Sequence, residues 1–376
     1  MTHRIVLVPG DGVGPEVVDA AVMVLDAAAA AGGLEVAYDR ILGGGAAIDA
    51  YGIPLRDDDL ELCKKADAVL LGAVGGPSWD HLPVETRPER GLLRLRAELG
   101  LGINLRPVAW TEAGSSRSPI KPEVASGADI AFVRELTGGV YFGKPSFYER
   151  EPGNRNAVDT NTYDEHQVRP VVEFAFGLAR TRRGKVTSVD KANVMNTSRL
   201  WREIAIEVGA ANPDVSLEHA LVDSFAMAIV QDPRRYDVVV TENLFGDVLT
   251  DLAAVLAGTL GTLPSASLVT RSGDIRFGMY EPIHGSAPAI AGQDIANPVG
   301  AILSVALMLQ WSLGRQDLAE AVRDAVNATI ADGLRTADLA ASDIQPTGTR
   351  AFAASVVANL KKGGAREHSN LRHHVA

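Results

Sequence analysis

The chain is 376 residues long and 46% hydrophobic, enough to bury a large core in two lobes. Its formal net charge is −11 and it has no long basic run, which excludes nucleic acid and anionic membranes as general partners. The single cysteine, Cys63, excludes an intrachain disulfide and fits a reducing cytoplasm; it reads as a core thiol on a helix.

The first predicted element is a strand, Arg4 to Val8, without the charged-then-apolar layout of a signal peptide. Pro9-Gly10-Asp11-Gly12-Val13-Gly14-Pro15-Glu16 then turns into a helix running to about Ala31. Gly10 and Gly12 match a dinucleotide fingerprint, but Pro15 holds the place of its third glycine. Pro15 suits a first helical turn with Glu16 at the positive end, so no Rossmann phosphate loop is expected. A strand (Leu34 to Asp39), a loop at Gly43-Gly44-Gly45, a helix (Asp57 to Lys65) and a strand (Ala68 to Leu71) follow. This alternation predicts a layered α/β architecture. Residues 72–89 read as a long Gly- and Pro-rich loop, and loops of that length are usually functional. A helix spans Arg90 to Leu99.

Further strands begin at Asn104 and span Asp129 to Glu135. Residues 144–162 are polar and aperiodic, which predicts a projecting arm. A helix runs from Glu165 to Arg180, and the strand Lys185 to Asp190 delivers Lys191 at its end. Residues 198–208 read as helix, Val215 to Leu221 as strand, and Asp223 opens the next helix.

Val238-Val239-Val240 is a strand ending in the polar turn Thr241-Glu242-Asn243. From Leu244 the apolar residues fall at helical spacing, which puts Asp247 and Asp251 one turn apart on one face. Such like charges repel by a few tenths of a kcal/mol. A divalent cation would remove the penalty, and hard carboxylate oxygens suit Mg²⁺ or Mn²⁺. Taken alone, the pair also reads as two solvated first-turn aspartates facing the helix dipole. Beyond it come a Ser-rich loop, the stretch Tyr280 to Pro288, and three helices at about 299–313, 317–332 and 347–360. The first of these is too short to span a bilayer and reads as a core helix, so a soluble protein is expected. Residues 361–376 are expected to lack regular structure, and His373 and His374 are not read as a metal site.

Several stretches in order resemble the isocitrate/isopropylmalate dehydrogenase family of metal-dependent β-decarboxylating dehydrogenases, over about residues 4–360. They are Pro9 to Glu16, Gly91-Leu92-Leu93 with Arg96, Asn104-Leu105-Arg106-Pro107, Val133 to Gly139, Asp190-Lys191-Ala192-Asn193-Val194, the Asp247/Asp251 stretch, and His284-Gly285-Ser286-Ala287-Pro288. The resemblance implies a two-domain α/β homodimer without a Rossmann phosphate loop. Residues 1–102 and 258–360 would form the cofactor side, and 103–257 the substrate and dimerisation domain. By position it implies that Asp247 and Asp251 bind Mg²⁺ or Mn²⁺ with Asp223 from the partner subunit. Lys191, also from the partner, would be the general base and Tyr141 the general acid. Arg96, Arg106 and Arg134 would hold substrate carboxylate, with Leu92, Leu93 and Val194 near the substrate side chain. Gly76, Glu89, His284, Gly285, Ser286, Ala287, Ile290 and Asn297 would line a site for NAD.

The expected reaction is oxidation of a 2-hydroxy dicarboxylate followed by loss of its β-carboxylate. Three arginines answer the problem of drawing a dianion into an acidic protein: opposite charges 4 Å apart gain about 4 kcal/mol at an effective dielectric of ~20. Leucine beside the substrate favours an apolar malate over isocitrate, whose third carboxylate would be buried unpaired. Ala289 departs from the family, whose NAD enzymes carry an Asp there for the adenosine ribose, so NADP use stays open. Met195-Asn196-Thr197 departs too, since a Glu is commoner in the middle, and leaves another alkylmalate open. A tartrate or D-malate enzyme is a rival reading, and Leu92 and Leu93 speak against a homoisocitrate enzyme. Phosphoryl transfer lacks its G-x-x-x-x-G-K-[ST] loop.

Overall fold

The computed structural model describes residues 2–373 apart from 112–113, 115–116, 152, 270–276 and 343, with side chains described as far as residue 362. The chain divides into two compact units. The first is Met1–Leu99, Thr259–Ala266 and Asp274–Ala376; the second is Gly100–Gly258 and Ser267–Gly273. In chain order the strands are β1 (Thr2–Gly10), β2 (Glu35–Arg40), β3 (Ala68–Ala73), β4 (Leu101–Ala109) and β5 (Asp129–Glu135). A hairpin follows, β6 (Phe147–Glu151) and β7 (Asn154–Val158). Then come β8 (Lys185–Asp190), β9 (Ser216–Leu221), β10 (Val238–Thr241), β11 (Pro264–Val269) and β12 (Gly278–Pro282).

In the first unit the strand order is β2-β1-β3-β12-β11, with residues 264–266 of β11 belonging here. β1 runs parallel to β2 and β3, and β12 parallel to β3. β3 is buried along its whole length, as an unbroken apolar run in a parallel sheet must be. Helices Gly14–Gly32, Val299–Trp311, Gln316–Ala331 and Thr349–His373 pack on one another. Val299–Trp311 is buried on every face, Ile302, Val305 and Leu309 included, so its apolar composition serves the core. Among the described residues no helix is long and apolar enough to cross a membrane. Cys63 is fully buried, as expected, and burial pushes its thiol up to about 12.

In the second unit the order is β4-β5-β10-β8-β9. β4 is antiparallel to β5, and β5, β10, β8 and β9 run parallel. Val238, Val239 and Val240 are fully buried, which accounts for their β-branched run. Glu165–Arg180 opens with a reciprocal capping box between Asp164 and Gln167. The stretch read as an arm holds the β6–β7 hairpin, exposed at nearly every residue. Parallel strands bring their last residues to one edge, and Arg134, Thr241 and Val189 lie in register there.

Two expectations change. The Ser-rich stretch is a strand, β11, in which Ser265 and Ser267 are fully buried. A buried serine needs a hydrogen-bond partner, and Asn104 Nδ2 donates to Ser267 Oγ at 3.3 Å; composition hides that pairing. The segment after 360 continues as helix in its backbone to His373, since it contains no proline and several helix formers. His374 and the residues after it lie outside the described ones.

Candidate active site

Glu242 ends the β10 turn and caps the next helix, its Oε1 accepting from the Phe245 N–H at 3.0 Å. The helix Asn243–Ala257 carries Asp247 and Asp251 one turn apart. Asp247 forms an ion pair with Arg134, lies 3.8 Å from Arg106 Nη1, and accepts from Tyr141 Oη at 2.9 Å. Burial alone would raise the Asp247 carboxyl, but the Arg134 and Arg106 guanidiniums and the Tyr141 hydroxyl outweigh it and hold it low. Asp251 is exposed and makes no hydrogen bond or ion pair among the described residues. Partial burial raises it, and the charge of Asp247 adds to that against the pull of Arg106 and Arg134. Burial and the charge of Asp247 push the Tyr141 hydroxyl up to about 12, so it keeps its proton at neutral pH.

Arg134 is only 2% exposed, which is tolerable because its guanidinium is engaged on two sides. Its Nε and Nη2 donate to Asn243 Oδ1 at 3.1 and 2.8 Å, while Nη1 faces Asp247. Asn243 Nδ2 in turn donates to the Gly138 carbonyl at 3.0 Å, on the segment that leads to Tyr141. Arg106 Nη1 donates to Thr250 Oγ1 at 2.6 Å. Sequence reasoning missed Asn243 and Thr250 as site residues. The signal was present, because Asn243, Asp247, Thr250 and Asp251 fall at helical spacing on one face.

Lys191 Nζ donates to Asp223 Oδ1 at 2.7 Å, and this bond lowers the Asp223 carboxyl. Val194, whose N–H donates to the Lys191 carbonyl, is 66% exposed. One chain therefore gathers Asp247, Asp251, Tyr141, Arg106 and Arg134, and pairs Lys191 with Asp223. Among the described residues no three His, Cys, Asp or Glu side chains come together as a metal-binding group. The carboxylate pair still suits a hard divalent cation: among the described residues Asp251 forms no ion pair or hydrogen bond, and it sits beside the like charge of Asp247.

The remaining expected residues lie in the first unit, except for the ones already placed. Leu92 is half-buried on the helix Pro88–Glu98. On the same helix Arg96 is buried and donates from Nη2 to Glu281 Oε1 at 2.8 Å. Its Nε is buried with no hydrogen-bond partner, an orphan donor that a carboxylate would satisfy. The ends of β1, β3 and β12 bring three loops together. The Val13 N–H donates to the Ser286 carbonyl at 2.8 Å, and a side chain at Gly12 would collide with that carbonyl. Asp11, 4% exposed, accepts from the N–H groups of Gly45, Ala46 and Gly75 at 2.9, 2.8 and 2.8 Å. Gly76 adjoins Ser286, and exposed Glu89 reaches back to Gly75. Ala287 stands in the left-handed region at φ 39°, between exposed Gly285 and a short turn holding Ala289 and half-buried Ile290. His284 Nε2 is buried without a partner, and burial holds the imidazole below its usual range. A neutral ring nitrogen awaiting a partner fits a polar ligand such as a dinucleotide. Asn297 differs from these: its side chain accepts from the Val299 N–H and donates to Asp338, at 3.0 Å each, an Asx turn ahead of the helix Val299–Trp311.

A family model described as isocitrate/isopropylmalate dehydrogenase matches residues 4–356. A 3-isopropylmalate dehydrogenase from Anaeromyxobacter dehalogenans is 53% identical over 360 residues, covering 96% of this chain and all of that protein. Another from Geobacillus kaustophilus is 54% identical over 340 residues, 90% of this chain and 91% of its own length. Among solved structures, an isocitrate dehydrogenase from Methylococcus capsulatus superposes with a TM-score of 0.83 at 34% identity, covering 96% of this chain and 99% of its own.

Proposed function

Because the chain belongs to the isocitrate/isopropylmalate dehydrogenase family, we propose that its carboxylate–arginine cluster oxidises and decarboxylates a 2-hydroxy dicarboxylate. The protein is an oxidoreductase that converts 3-isopropylmalate to 4-methyl-2-oxopentanoate and CO₂, a step of leucine biosynthesis. The observation that carries the site assignment is that Asp247 meets Arg134, Arg106 and Tyr141 at one point.

The family uses a nicotinamide dinucleotide and a divalent metal, and our finer assignment is NAD with Mg²⁺ or Mn²⁺. Asp247 and Asp251, with the partner subunit's Asp223, would hold the metal, which when bound draws electron density from the substrate's C2 oxygen. The second unit would be the substrate and dimerisation side. The first would be the cofactor side, where Gly76, Glu89, His284 to Ala287 and Ile290 would hold NAD, which when bound would supply a hydride acceptor. Asn297 is retained there by position only.

Arg106, Arg134 and Arg96 are assigned to the substrate carboxylates, where planar guanidiniums orient an anion that a lysine would hold loosely. The partner subunit's Lys191 takes the C2 hydroxyl proton. Once the β-carboxylate leaves as CO₂, its electron pair passes to C3. Tyr141, which holds its proton up to about pH 12, delivers that proton to C3. Asp247 accepts a hydrogen bond from the phenol and so fixes where it points. Leu92 and Val194 give the isopropyl group an apolar neighbour.

Absorbance at 340 nm decides the matter when 3-isopropylmalate, isocitrate, tartrate and D-malate are each offered with NAD or NADP and Mn²⁺. We expect turnover with 3-isopropylmalate and NAD, abolished by chelation and by Asp251→Asn. Faster turnover of isocitrate, or full activity in chelator, would refute the assignment. A homodimer in the cytoplasm completes the proposal.

A further inference from the structure

Tyr163 has no part in the chemistry above, yet it joins the two segments that carry it. Its ring packs closely against the loop leading to Tyr141: a Cβ built on Gly138 would fall 2.6 Å from the ring's Cε1, and one on Gly139 2.5 Å from the hydroxyl oxygen. Gly139, at φ 78°, opens the short turn Gly139–Tyr141, and its N–H donates to the Thr162 carbonyl next to Tyr163. On its other side Tyr163 meets the start of the Asp247 helix. Its hydroxyl accepts from the Asn243 N–H at 2.9 Å and donates to Glu242 Oε2 at 3.1 Å. Asn243 then spends its side chain on Arg134 and on the Gly138 carbonyl. The Trp201 ring backs Tyr163 edge-on, with centroids 6.2 Å apart. Glu135 holds the same loop from beneath, accepting from the Thr137 and Gly138 N–H groups at 2.5 and 2.9 Å.

We infer that Tyr163 is a positioning residue for Tyr141: by seating the Gly138–Gly139 backbone on the first turn of the Asn243–Ala257 helix, it sets the Tyr141 hydroxyl against Asp247. The inference rests on the reading of Tyr141 as the acid. The physical reason lies in the short lever involved. Tyr141 is itself 38% exposed and sits at the end of the short turn that Gly139 opens, so its place depends on the Gly138–Gly139 backbone before it. Those glycines offer no side chain to interlock, and the Tyr163 ring and hydroxyl supply the missing contact.

The test is a double-mutant cycle of Tyr163→Phe and Tyr141→Phe, with kcat and KM for 3-isopropylmalate and NAD measured in all four enzymes. The phenylalanine keeps the ring and removes only the hydroxyl. Tyr163→Phe, which loses both hydrogen bonds of the hydroxyl, should lower kcat about tenfold, with both KM values within about twofold. In the Tyr141→Phe background the same change should cost nothing further, because its effect runs through the missing phenol. Gly138→Ala, which pushes a methyl into the Tyr163 ring, should reproduce the kcat loss by a second route; it stands in if Tyr163→Phe does not fold. Equal losses in both backgrounds, or no loss in Tyr163→Phe and Gly138→Ala while Tyr141→Phe is impaired, would overturn the positioning role alone. A Tyr141→Phe enzyme at full kcat would instead remove the acid assignment, and this inference with it.

Discussion

Arg134 and Arg106 set the charge of the cluster at the residue scale. Two guanidiniums stand against Asp247 and Asp251, so the group is locally balanced within a protein of net charge −11. A dication and a dicarboxylate can therefore enter together without leaving excess charge, which neither could do alone at low cost. Ala289 is a second residue with a consequence. It is exposed, and its carbonyl accepts from Gln293 Nε2 at 2.9 Å, so a side chain there has room. A carboxylate at that position would accept ribose hydroxyls for about 1.5–3 kcal/mol. Ala289→Asp should then raise the NAD-over-NADP ratio of kcat/KM about ten- to a hundredfold, read from initial rates. An unchanged ratio would show that the position does not meet the ribose. Glu242 supplies a pH effect. Burial raises its carboxyl above the ordinary 4.5, against the Phe245 N–H and the Tyr163 hydroxyl. A raised carboxyl binds its proton more tightly in the folded state, so its stabilising contribution is full below the unfolded value and is lost as pH rises through the folded one. The Tm advantage of the wild type over Glu242→Gln should shrink across that window; an advantage that grows with pH would contradict it.

Among the elements, the helix Asn243–Ala257 does the organising: one face carries Asn243, Asp247, Thr250 and Asp251, and its first turn meets Tyr163. Gly246 lies on this helix where it passes Arg134, and an added Cβ would stand 2.6 Å from Arg134 Cγ. Alanine in place of glycine gains about 1 kcal/mol of helix propensity. Displacing a nearly buried arginine costs about 1–3 kcal/mol, and Arg134 has no room to retreat. The clash should win. Gly246→Ala is expected to lower Tm by about 3 °C and kcat/KM for 3-isopropylmalate by about tenfold or more. A more stable, fully active variant would mean that the arginine yields freely.

For the whole molecule, the proposal has Lys191 and Asp223 act at a partner's site; among the described residues they pair with each other, and no hydrogen bond or ion pair joins them to Asp247, Asp251 or Tyr141. Met227 and Val230 lie on the helix Val222–Gln231, Leu244 and Val248 on Asn243–Ala257, and the two helices pack side by side. Met227 and Val248 are each 62% exposed, an apolar patch on which the proposed dimer would bury surface. If dimers share their sites, Lys191→Ala and Asp251→Asn enzymes are each inactive, yet equal mixtures that exchange subunits regain activity. About a quarter of the wild-type rate is expected, since half of the dimers are mixed and each has one intact site. No recovery after verified exchange would place both residues in one subunit's site.

Local periodicity determined the strand and helix succession closely, because side-chain spacing depends only on near neighbours. Glu165–Arg180, Lys185–Asp190 and Asp129–Glu135 could be read residue for residue. The Asp247/Asp251 pair was legible for the same reason, being set by one helical turn. Ordered motifs carried the family. What no local pattern contains is a partner a hundred residues away. That Arg134 would meet Asn243, that Arg96 would pair with Glu281, that Ser267 would be buried against Asn104, and that Tyr163 would cap the Asp247 helix were decided by strand register and packing. Burial makes an unpaired polar group costly, so the tertiary structure had to choose those partners, and each choice depends on where the whole sheet delivers its ends.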